Sequence, residues 1–432
     1  MAARGLYPSP SAGARVYAPP MGPRVVELQQ PEQVLAAILA TLSALPPRAV
    51  PVAGAAGLVL AEDLVAGFDL PPFRTSAMDG FAVRSNDVAA GPARLDVVGN
   101  SLAGRPWNGE VGPGQATAVA TGAVVPEGAD AVVPLEEAEA VEGTVTVRGP
   151  VPEGRNVRPV GEDASAGTLV VRAGAILGPE RLAAASALGR TTVLVHPRPL
   201  VAVLPTGDEV RPAGAELSAG QVFDAISAPL AALIRDAGGE PRTHGAAPDH
   251  PQALLTALRH AASGADAVIT VGGVSEGLRD LVGRLADGPI PAVEVRRFRV
   301  AIRPGRPFVF GRAFGLPLFG LPGNPGAALV AFEELVRPAI LALQGRPGVT
   351  RPSVEAELGG SLRRSPDRTW LLPCRVRFEL DRLVVHPLEG RTISSLAAAQ
   401  GWLRIPPGDG ELPAGSTVRV RLLFEPERRR QP

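Results

Sequence analysis

The stretch ADAVITVGGVSEGLRD, residues 265–280, decides the fold of the central part of this chain of 432 residues. Its first half is an apolar, β-branched run that predicts a buried strand, and its second half is a glycine-rich turn before a helix. The stretches PLVAVLP (199–205) and LPLFGLPGNP (316–325) repeat this pattern. Strands that alternate with helices predict an α/β layered domain with a mostly parallel sheet.

Strand-type residues dominate both sides of this central part. Between residues 48 and 198, β-branched runs separated by Gly and Pro predict a strand-rich region. Apolar residues at helical spacing predict one amphipathic helix from Pro31 to Leu45 before it. Residues 348–426 return to strands and predict a smaller C-terminal β domain. The expected fold class is therefore α/β plus β, in a chain of several domains.

Composition excludes several classes of function. The chain has 43 basic and 43 acidic residues, so no global charge attracts nucleic acid or an anionic membrane. It contains no lysine, and every basic residue is an arginine. Cys374 is the only cysteine, which excludes an intramolecular disulfide and a set of thiolate ligands. No apolar run reaches the roughly 18 residues that span a bilayer, and a cytoplasmic location is expected.

Three loops of the α/β part place polar residues beside glycine. They are PTGDEV (205–210), VGGVSEGLRD (271–280) and GLPGNPGAA (320–328). Ligands of open parallel sheets bind where strands end and helices begin. Glycine lets a phosphate approach the backbone, and a carboxylate such as Asp280 suits a magnesium-bridged phosphate. The alternative is that each turn only connects two elements.

Other charged residues follow predicted strands. Asp208, Glu209 and Asp249 each either ligate a cation or cap a helix. The turn IRPGRPFVFG (302–311) holds Arg303 and Arg306, whose charges either converge on an oxyanion or are solvated at the surface. Three loops earlier in the chain also carry polar residues: Ser76 and Asp79 in loop 70–83, Thr121 in loop 121–130, and Arg158, Glu162 and Asp163 in loop 156–163. Taken one at a time, each of these loops indicates no more than an ordered loop.

Together, these motifs resemble a known family. SAMDG, TGAVVPEGADAVV, GEDASAG, PTGDE, GGVSEGLRD, the RPGRP turn and GLPGNP occur in the order and spacing of molybdopterin molybdenumtransferases, a family related to the catalytic domain of gephyrin. The resemblance covers residues 26–425. Several long motifs in register are far more specific than one glycine loop.

The resemblance implies an elongated, multidomain subunit. The expected segments are a disordered leader (1–24), an N-terminal linking region (25–66 and 168–198), an inserted strand-rich lobe (67–167), an α/β molybdopterin-binding domain (199–347) and a C-terminal β domain (348–426). It also implies a homodimer, with the active cleft between the α/β domain of one subunit and the inserted lobe of the other.

The implied reaction takes adenylylated molybdopterin and molybdate, cleaves the pyrophosphate to release AMP, and leaves molybdenum on the dithiolene sulfurs. Magnesium is the implied cofactor, because it neutralises the phosphates. Other cofactor-biosynthesis proteins are further expected partners, and nucleic acid and membranes are not.

Residue by residue, the family motifs assign roles to this sequence. The implied catalytic residues are Asp79, Thr121, Asp163, Asp208 and Glu209. The implied substrate-binding residues are Ser76, Arg158, Gly272, Gly273, Ser275, Arg303, Arg306, Asn324, Arg368 and Ser395, with molybdate near the last two and the two arginines of the turn. The implied metal ligands are Asp249 and Asp280.

The chain departs from the family pattern at Ile226, which stands where the FDAIS segment would carry Asn. That change removes a hydrogen-bond donor and acceptor from a polar pocket. Two alternatives to the transferase therefore stay open. One is a divergent, non-catalytic paralogue that binds molybdopterin or molybdate. The other is a nucleotide-processing enzyme with a similar α/β domain, against which the inserted lobe and the C-terminal β domain argue.

Overall fold

Strands from distant parts of the chain lie side by side in two compact units. The computed structural model describes residues 27–274, 282, 292–346, 351–379, 382–388 and 392–423. The first unit takes residues 1–34, 270–331 and 353–432, and the second takes residues 35–269 and 332–352. The expected leader and the segment 275–281 of the second glycine loop lie outside the described residues. The segment boundaries given above stay a prediction.

The α/β part of the second unit is built on two buried, apolar strands, Leu200–Pro205 and Ala267–Val271, and one mostly exposed strand, Glu240–Thr243. Ala267–Val271, Leu200–Pro205 and Glu240–Thr243 are neighbours in that order, and the last two are parallel. Helices Ser227–Asp236 and Pro251–Ala262 supply the intervening connections. A short parallel pair, Val210–Arg211 with Val222–Phe223, lies beyond the strand Leu200–Pro205. The predicted alternation of strand and helix is confirmed.

The expected lobe in the second unit is a six-stranded sheet. Its order is Ala138–Val141, Thr144–Val147, Ala93–Ser101, Gln115–Val119, Gly80–Val83 and Ala131–Pro134. Thr144–Val147 alternates between buried and half-buried residues, whereas Gly80–Val83 and Ala131–Pro134 are buried throughout, so two apolar clusters pack on this sheet. Three 3₁₀ turns of this unit are Val52–Gly54, Ser85–Val88 and Leu135–Glu137.

Short strands connect the lobe to the rest of the second unit. Arg48–Pro51, Thr192–His196 and Val59–Leu60 form one small sheet, and helix Pro179–Ala187 packs beside it. Leu64–Val65 pairs with Leu169–Val171 in antiparallel fashion at the two ends of the lobe. Thr75–Ser76 pairs with Val157–Arg158, also antiparallel.

The first unit contains a sheet and a barrel. Its sheet has the order Leu28–Gln29, Val293–Val300, Pro307–Ala313 and Leu316–Leu321, with a parallel first pair and antiparallel pairs after it. This sheet is therefore mixed. Its antiparallel pairs arise because Pro307–Ala313 and Leu316–Leu321 form a hairpin. The helices here are Pro325–Ala331 and Ile393–Ala397.

The predicted C-terminal β domain is a closed barrel of five strands. Around the barrel they are Thr369–Glu379, Arg382–Pro387, Val354–Leu358, Thr417–Leu422 and Gly401–Ile405, and the last pairs with the first. Ile302–Arg303 adds to Thr369–Glu379 in parallel, and Leu362–Arg363 pairs with Glu411–Leu412. Buried side chains including Cys374, Val376 and Leu403 fill the interior.

Two predicted helices differ in extent from the structure. The first ends at Leu39 instead of Leu45 because the next residues form a tighter turn, in which Thr41 N–H donates to Ile38 O at 3.1 Å and its hydroxyl donates to the same oxygen at 2.8 Å. The helix predicted over 327–343 is interrupted by a π-helical turn, Phe332–Val336. Pro338 has no N–H for the carbonyl of Glu334, which favours this local widening.

The π-helical turn directs a buried carboxylate into an ion cluster. Glu333 is 6% exposed and accepts hydrogen bonds from Arg351, at 3.1 Å from Nε and 3.0 Å from an Nη atom. Arg351 also pairs with Asp236 at the end of helix Ser227–Asp236. A buried charge needs such partners, so this cluster fastens the end of the long helix within the second unit.

No helix within the described ranges is both long and apolar enough to cross a membrane.

The thiol of Cys374 reports on the integrity of the barrel. Its side chain has 0% exposure, and burial raises the pKa of the thiol to about 12. Because the thiolate is the reactive form, we expect an aromatic disulfide reagent to label native protein on the order of a hundred-fold more slowly than protein in denaturant. Absorbance of the released thiol measures the rate, Cys374→Ala gives the background, and equal rates in both conditions would show that the barrel is open.

Candidate active site

Asp79 and Thr121 form the centre of a polar cluster on the lobe. The Asp79 carboxylate accepts hydrogen bonds from the backbone N–H of Thr121 at 2.7 Å and from its hydroxyl at 3.0 Å. Ser76 is buried, its hydroxyl donates to Met78 O at 2.6 Å, and its carbonyl accepts from Gly122 N–H at 2.8 Å. Ser76 therefore holds the loop in shape, while Asp79 and Thr121 face solvent.

Arg158 and Asp163 lie beside this cluster through the strand pairing of Arg158 with Thr75. The guanidinium of Arg158 contacts Glu162 at 2.5 Å and Asp163 at 2.7 Å. Hydrogen bonds to Glu162 and then Asp163 raise the pKa of Arg158. Its charge is therefore already balanced by two carboxylates, so it binds a substrate anion only in competition with them.

The carboxyl group of Asp79 is tuned to stay ionised. Hydrogen bonds from the backbone and then the side chain of Thr121 lower the pKa of Asp79, because both donors favour the charged form. An ionised carboxylate accepts hydrogen bonds or contacts a cation but donates no proton at neutral pH. Asp79 can thus orient a water or a phosphate-bound cation, and is unsuited to general-acid catalysis.

Acidic residues also meet where the parallel strands of the second unit end. The loop after Leu200–Pro205 is tied to residues beyond Glu240–Thr243, since Gly207 N–H donates to Ala247 O at 3.0 Å and Asp249 N–H donates to the Asp208 carboxylate at 3.2 Å. At Gly207, a Cβ atom would lie 2.5 Å from the Glu209 carboxylate. Glycine therefore allows Glu209 to fold back over the turn, beside Asp208.

A pair of carboxylates at a strand end suits magnesium. Among the described residues, no three His, Cys, Asp or Glu side chains are grouped closely enough to hold a metal ion. Magnesium in phosphate-binding sites commonly takes one or two carboxylates and completes its shell with water and phosphate oxygens. Asp208 and Asp249 fit that donor set. Asp280, the other predicted ligand, and Ser275 lie outside the described residues.

The RPGRP turn of the first unit packs closely against a helix. At Gly305, with φ of +104°, a Cβ atom would lie 3.2 Å from Ala327 O in helix Pro325–Ala331. Only glycine allows this approach, which holds Arg303 and Arg306 at fixed positions on either side. The Nε atom of Arg306 is buried and has no hydrogen-bond partner among the described residues.

Arg303 ends a short strand, and Arg368 directly precedes the strand Thr369–Glu379 that pairs with it. Arg303 pairs with Trp370, and its guanidinium carbon lies 4.9 Å from the centroid of the Trp370 ring. Arg368 is two residues before Trp370, and its Nε donates to Asp367 at 3.2 Å. The structure therefore gathers two predicted anion-binding arginines, together with an aromatic ring and an acid that the sequence analysis did not single out. Trp370 and Asp367 both stand close to Arg368 in the segment SPDRTW (365–370). That position is the sequence signal that could have identified them.

The remaining predicted residues of the first unit lie around the same helix. Gly272 N–H donates to Leu321 O at 2.9 Å, and a Cβ atom at Gly323 would lie 3.5 Å from Gly272 Cα. The second and third glycine loops are thus brought together at the start of helix Pro325–Ala331, where Asn324 accepts from Ala327 N–H at 3.3 Å. A Cβ atom at Gly326 would lie 3.7 Å from Leu396, so helix Ile393–Ala397 adjoins the same place.

Ser395 completes this group, which we call the arginine cluster: Arg303, Arg306, Arg368, Ser395, Gly272, Gly273 and Asn324. The Ser395 hydroxyl is buried and donates to Thr392 O at 2.9 Å. The described contacts thus sort the predicted residues into the lobe cluster, the acidic loops and the arginine cluster.

Ile226 directly precedes helix Ser227–Asp236. It is 7% exposed, and its N–H donates to the carboxylate of Asp224 at 3.0 Å, as does that of Ser227. Asp224 therefore caps helix Ser227–Asp236, and the apolar side chain at 226 packs in the interior. The hydroxyl of the neighbouring Ser227 is buried and has no hydrogen-bond partner among the described residues.

Comparison with known proteins identifies the family. Family models match three stretches: the MoeA N-terminal region (domain I and II) at residues 29–189, a probable molybdopterin binding domain at 202–342 and the MoeA C-terminal region (domain IV) at 355–423. The Molybdopterin molybdenumtransferase 2 of Mycobacterium tuberculosis is 37% identical over 383 residues, which cover 87% of this chain and 94% of that relative. The chain belongs to the molybdopterin molybdenumtransferase (MoeA) family.

Further relatives agree with this assignment. The Molybdopterin molybdenumtransferase of Haemophilus influenzae is 38% identical over 69% of this chain and 73% of its own length. Two crystal structures of a molybdopterin biosynthesis MoeA protein from Pyrococcus horikoshii match with TM-scores of 0.79 and 0.77, at 32% and 28% identity, over 92% of this chain and 99% and 100% of theirs. The predicted MoeA-type multidomain fold is confirmed.

The depressed pKa of Asp79 can be tested through its hydroxyl donor. Thr121→Val removes the hydroxyl but keeps the backbone N–H, so the pKa of Asp79 should rise toward the ordinary value without reaching it. Thr121→Ser is the matched control and should leave the pKa in place. Carboxyl chemical shifts followed by NMR against pH measure both. Because the folded pKa is depressed, any stability from this contact is present above the ordinary Asp pKa and lost as pH falls through the lower value. An unshifted Asp79 in wild type would refute the assignment.

Proposed function

We propose that this chain is a molybdopterin molybdenumtransferase that transfers molybdenum from molybdate to adenylylated molybdopterin and releases AMP. Family membership supports the reaction, and the arginine cluster is the observation that carries its placement on this chain. Fixed arginine charges beside glycine backbone suit a tetrahedral oxyanion such as molybdate. A cytoplasmic location and further cofactor-biosynthesis partners stay predictions of the sequence.

In this proposal the arginine cluster binds molybdate. Arg303 and Arg306 present guanidinium groups from a turn that cannot shift, because Gly305 is packed on the helix. Arg368 contributes a third charge, which Asp367 partly offsets. Gly272 and Gly273, with positive φ of 95° and 63°, place no side chain near the first turn of helix Pro325–Ala331, and the Gly272 N–H is already bonded to Leu321 O.

The acidic loops have a separate task. We assign Asp208 and Asp249 to a magnesium ion on the pyrophosphate, with Glu209 beside them; Asp280 is a further proposed ligand. Magnesium would neutralise the charge that builds up as AMP leaves. Asp79 and Thr121 of the lobe would orient the water that cleaves the phosphoanhydride, because the ionised carboxylate accepts a hydrogen bond from it. Asp163 and Arg158 support that loop.

Release of AMP tests the reaction and the metal assignment together. Purified protein with adenylylated molybdopterin, molybdate and magnesium should form AMP, and chromatography measures it. Asp249→Asn keeps the size of the side chain but removes its charge, and should lower the rate on the order of 100-fold at limiting magnesium, with partial recovery at high magnesium. Glu139→Gln, an exposed acid on the edge of the lobe, is the control and should keep the full rate.

Two outcomes would contradict this reading. An unchanged rate in Asp249→Asn at limiting magnesium would remove Asp249 from the metal site. Binding of molybdopterin or molybdate by the wild-type protein without any release of AMP would instead identify a non-catalytic binding protein.

We also propose that the protein acts as a homodimer. Four apolar side chains are exposed around the SAMDG loop: Phe68, Phe73, Met78 and Val160. Val160 lies beside the others because the N–H of the next residue, Gly161, donates to Pro71 O at 2.9 Å. Exposed apolar patches of this kind are typical of interaction surfaces.

Sedimentation equilibrium tests the dimer. We expect wild-type protein to sediment as a dimer, and Phe73→Ser to raise the dissociation constant about ten-fold or more because it removes buried aromatic surface. Phe378→Ser, an exposed aromatic residue of the barrel, is the control. Monomeric wild-type protein at micromolar concentration would refute the proposal.

A further inference from the structure

Trp370 is held in place by strands on both sides. It pairs with Arg303 in the parallel strand on one side and with Ile405 in the antiparallel strand on the other. The neighbouring Thr369 N–H donates to Ala301 O at 2.9 Å. Because backbone bonds fix the register on both sides, the indole has a defined place beside the RPGRP turn.

The face of this indole carries the guanidinium of Arg303, at 4.9 Å from the ring centroid. Arginine stacks on aromatic rings through its flat face and leaves its N–H donors directed outward in the plane. A stacked guanidinium loses rotational freedom before any anion arrives. The affinity for a bound oxyanion therefore gains from preorganisation.

The indole makes no hydrogen bond that would require tryptophan for folding. Its Nε1 atom is buried and has no partner among the described residues. A buried donor without a partner costs stability, and an apolar residue of similar size would avoid this cost. Trp370 does pack partly against the barrel core, which any large apolar side chain could do. The feature specific to the aromatic ring is the contact with Arg303.

We propose that Trp370 is a positioning residue of the oxyanion site, whose ring holds the guanidinium of Arg303 in the orientation that binds molybdate. The inference rests on the proposed role of the arginine cluster. The inference adds Trp370 to the site as a residue that acts on the substrate through Arg303 and does not contact it directly. Asp367, the acid of the same segment, contacts Arg368. The contact described for the guanidinium of Arg303 is the one with the Trp370 ring.

Equilibrium dialysis of molybdate against the full-length protein tests this. Trp370→Leu should raise the dissociation constant about five-fold and Trp370→Phe about two-fold, because a phenyl ring attracts a cation more weakly than an indole. Phe378→Leu, a change on the same strand, is the matched control and should bind like wild type. In an Arg303→Met background, Trp370→Leu should cause no further loss, since the ring then has no guanidinium to hold.

A kinetic measurement separates positioning from general damage. In the AMP-release assay, Trp370→Leu should raise the half-saturating molybdate concentration while the rate at saturating molybdate stays within about two-fold of wild type. Slow labelling of Cys374 verifies in each variant that the barrel is closed.

Fluorescence gives a test in the unaltered protein. Molybdate should change the tryptophan emission of wild type with the dissociation constant found by dialysis, because an anion bound to Arg303 alters the charge above the ring. The change should vanish in Trp370→Phe and persist in Trp107→Phe, which alters a tryptophan of the lobe.

Several results would overturn the inference. These are wild-type affinity in Trp370→Leu, additive losses in the double variant, or an emission change that survives in Trp370→Phe. Wild-type protein that fails to bind molybdate at all would overturn the proposed role of the arginine cluster as well, so the two failures are distinguishable.

Discussion

Close approach of backbone segments at glycines underlies the arginine cluster. Gly305 lies where a Cβ atom would press on Ala327 O, and Gly323 lies against Gly272. These contacts bring a turn, two loops and a helix together before any side chain is considered. The arginines then owe their positions to the main chain, which is stiffer than the side chains of a surface patch.

The charges of the chain cancel overall but are sorted locally. Arginines gather in the first unit around the RPGRP turn, whereas the acidic loops and the Asp79 loop belong to the second. Where the two signs do meet, as at Arg158 with Glu162 and Asp163, they neutralise each other.

The sequence predicted the alternating elements, the barrel strands and most of the cluster residues because periodicity and glycine turns are local signals. It misjudged the end of the first helix, since the Thr41 hydroxyl competes for a helical carbonyl. It could not foresee the contact between Arg303 and Trp370, which depends on the register of two strands far apart in sequence. The sequence also could not show that Asp224 accepts from the backbone N–H of Ile226, whose effect on activity stays a prediction.

The lobe leaves and rejoins the second unit at a single point, because Val65 and Leu169 are paired neighbours. A whole module between these positions can therefore lengthen, shrink or be exchanged during evolution without moving the strands that flank it. Relatives that share the rest of the chain could thus diverge in this module first.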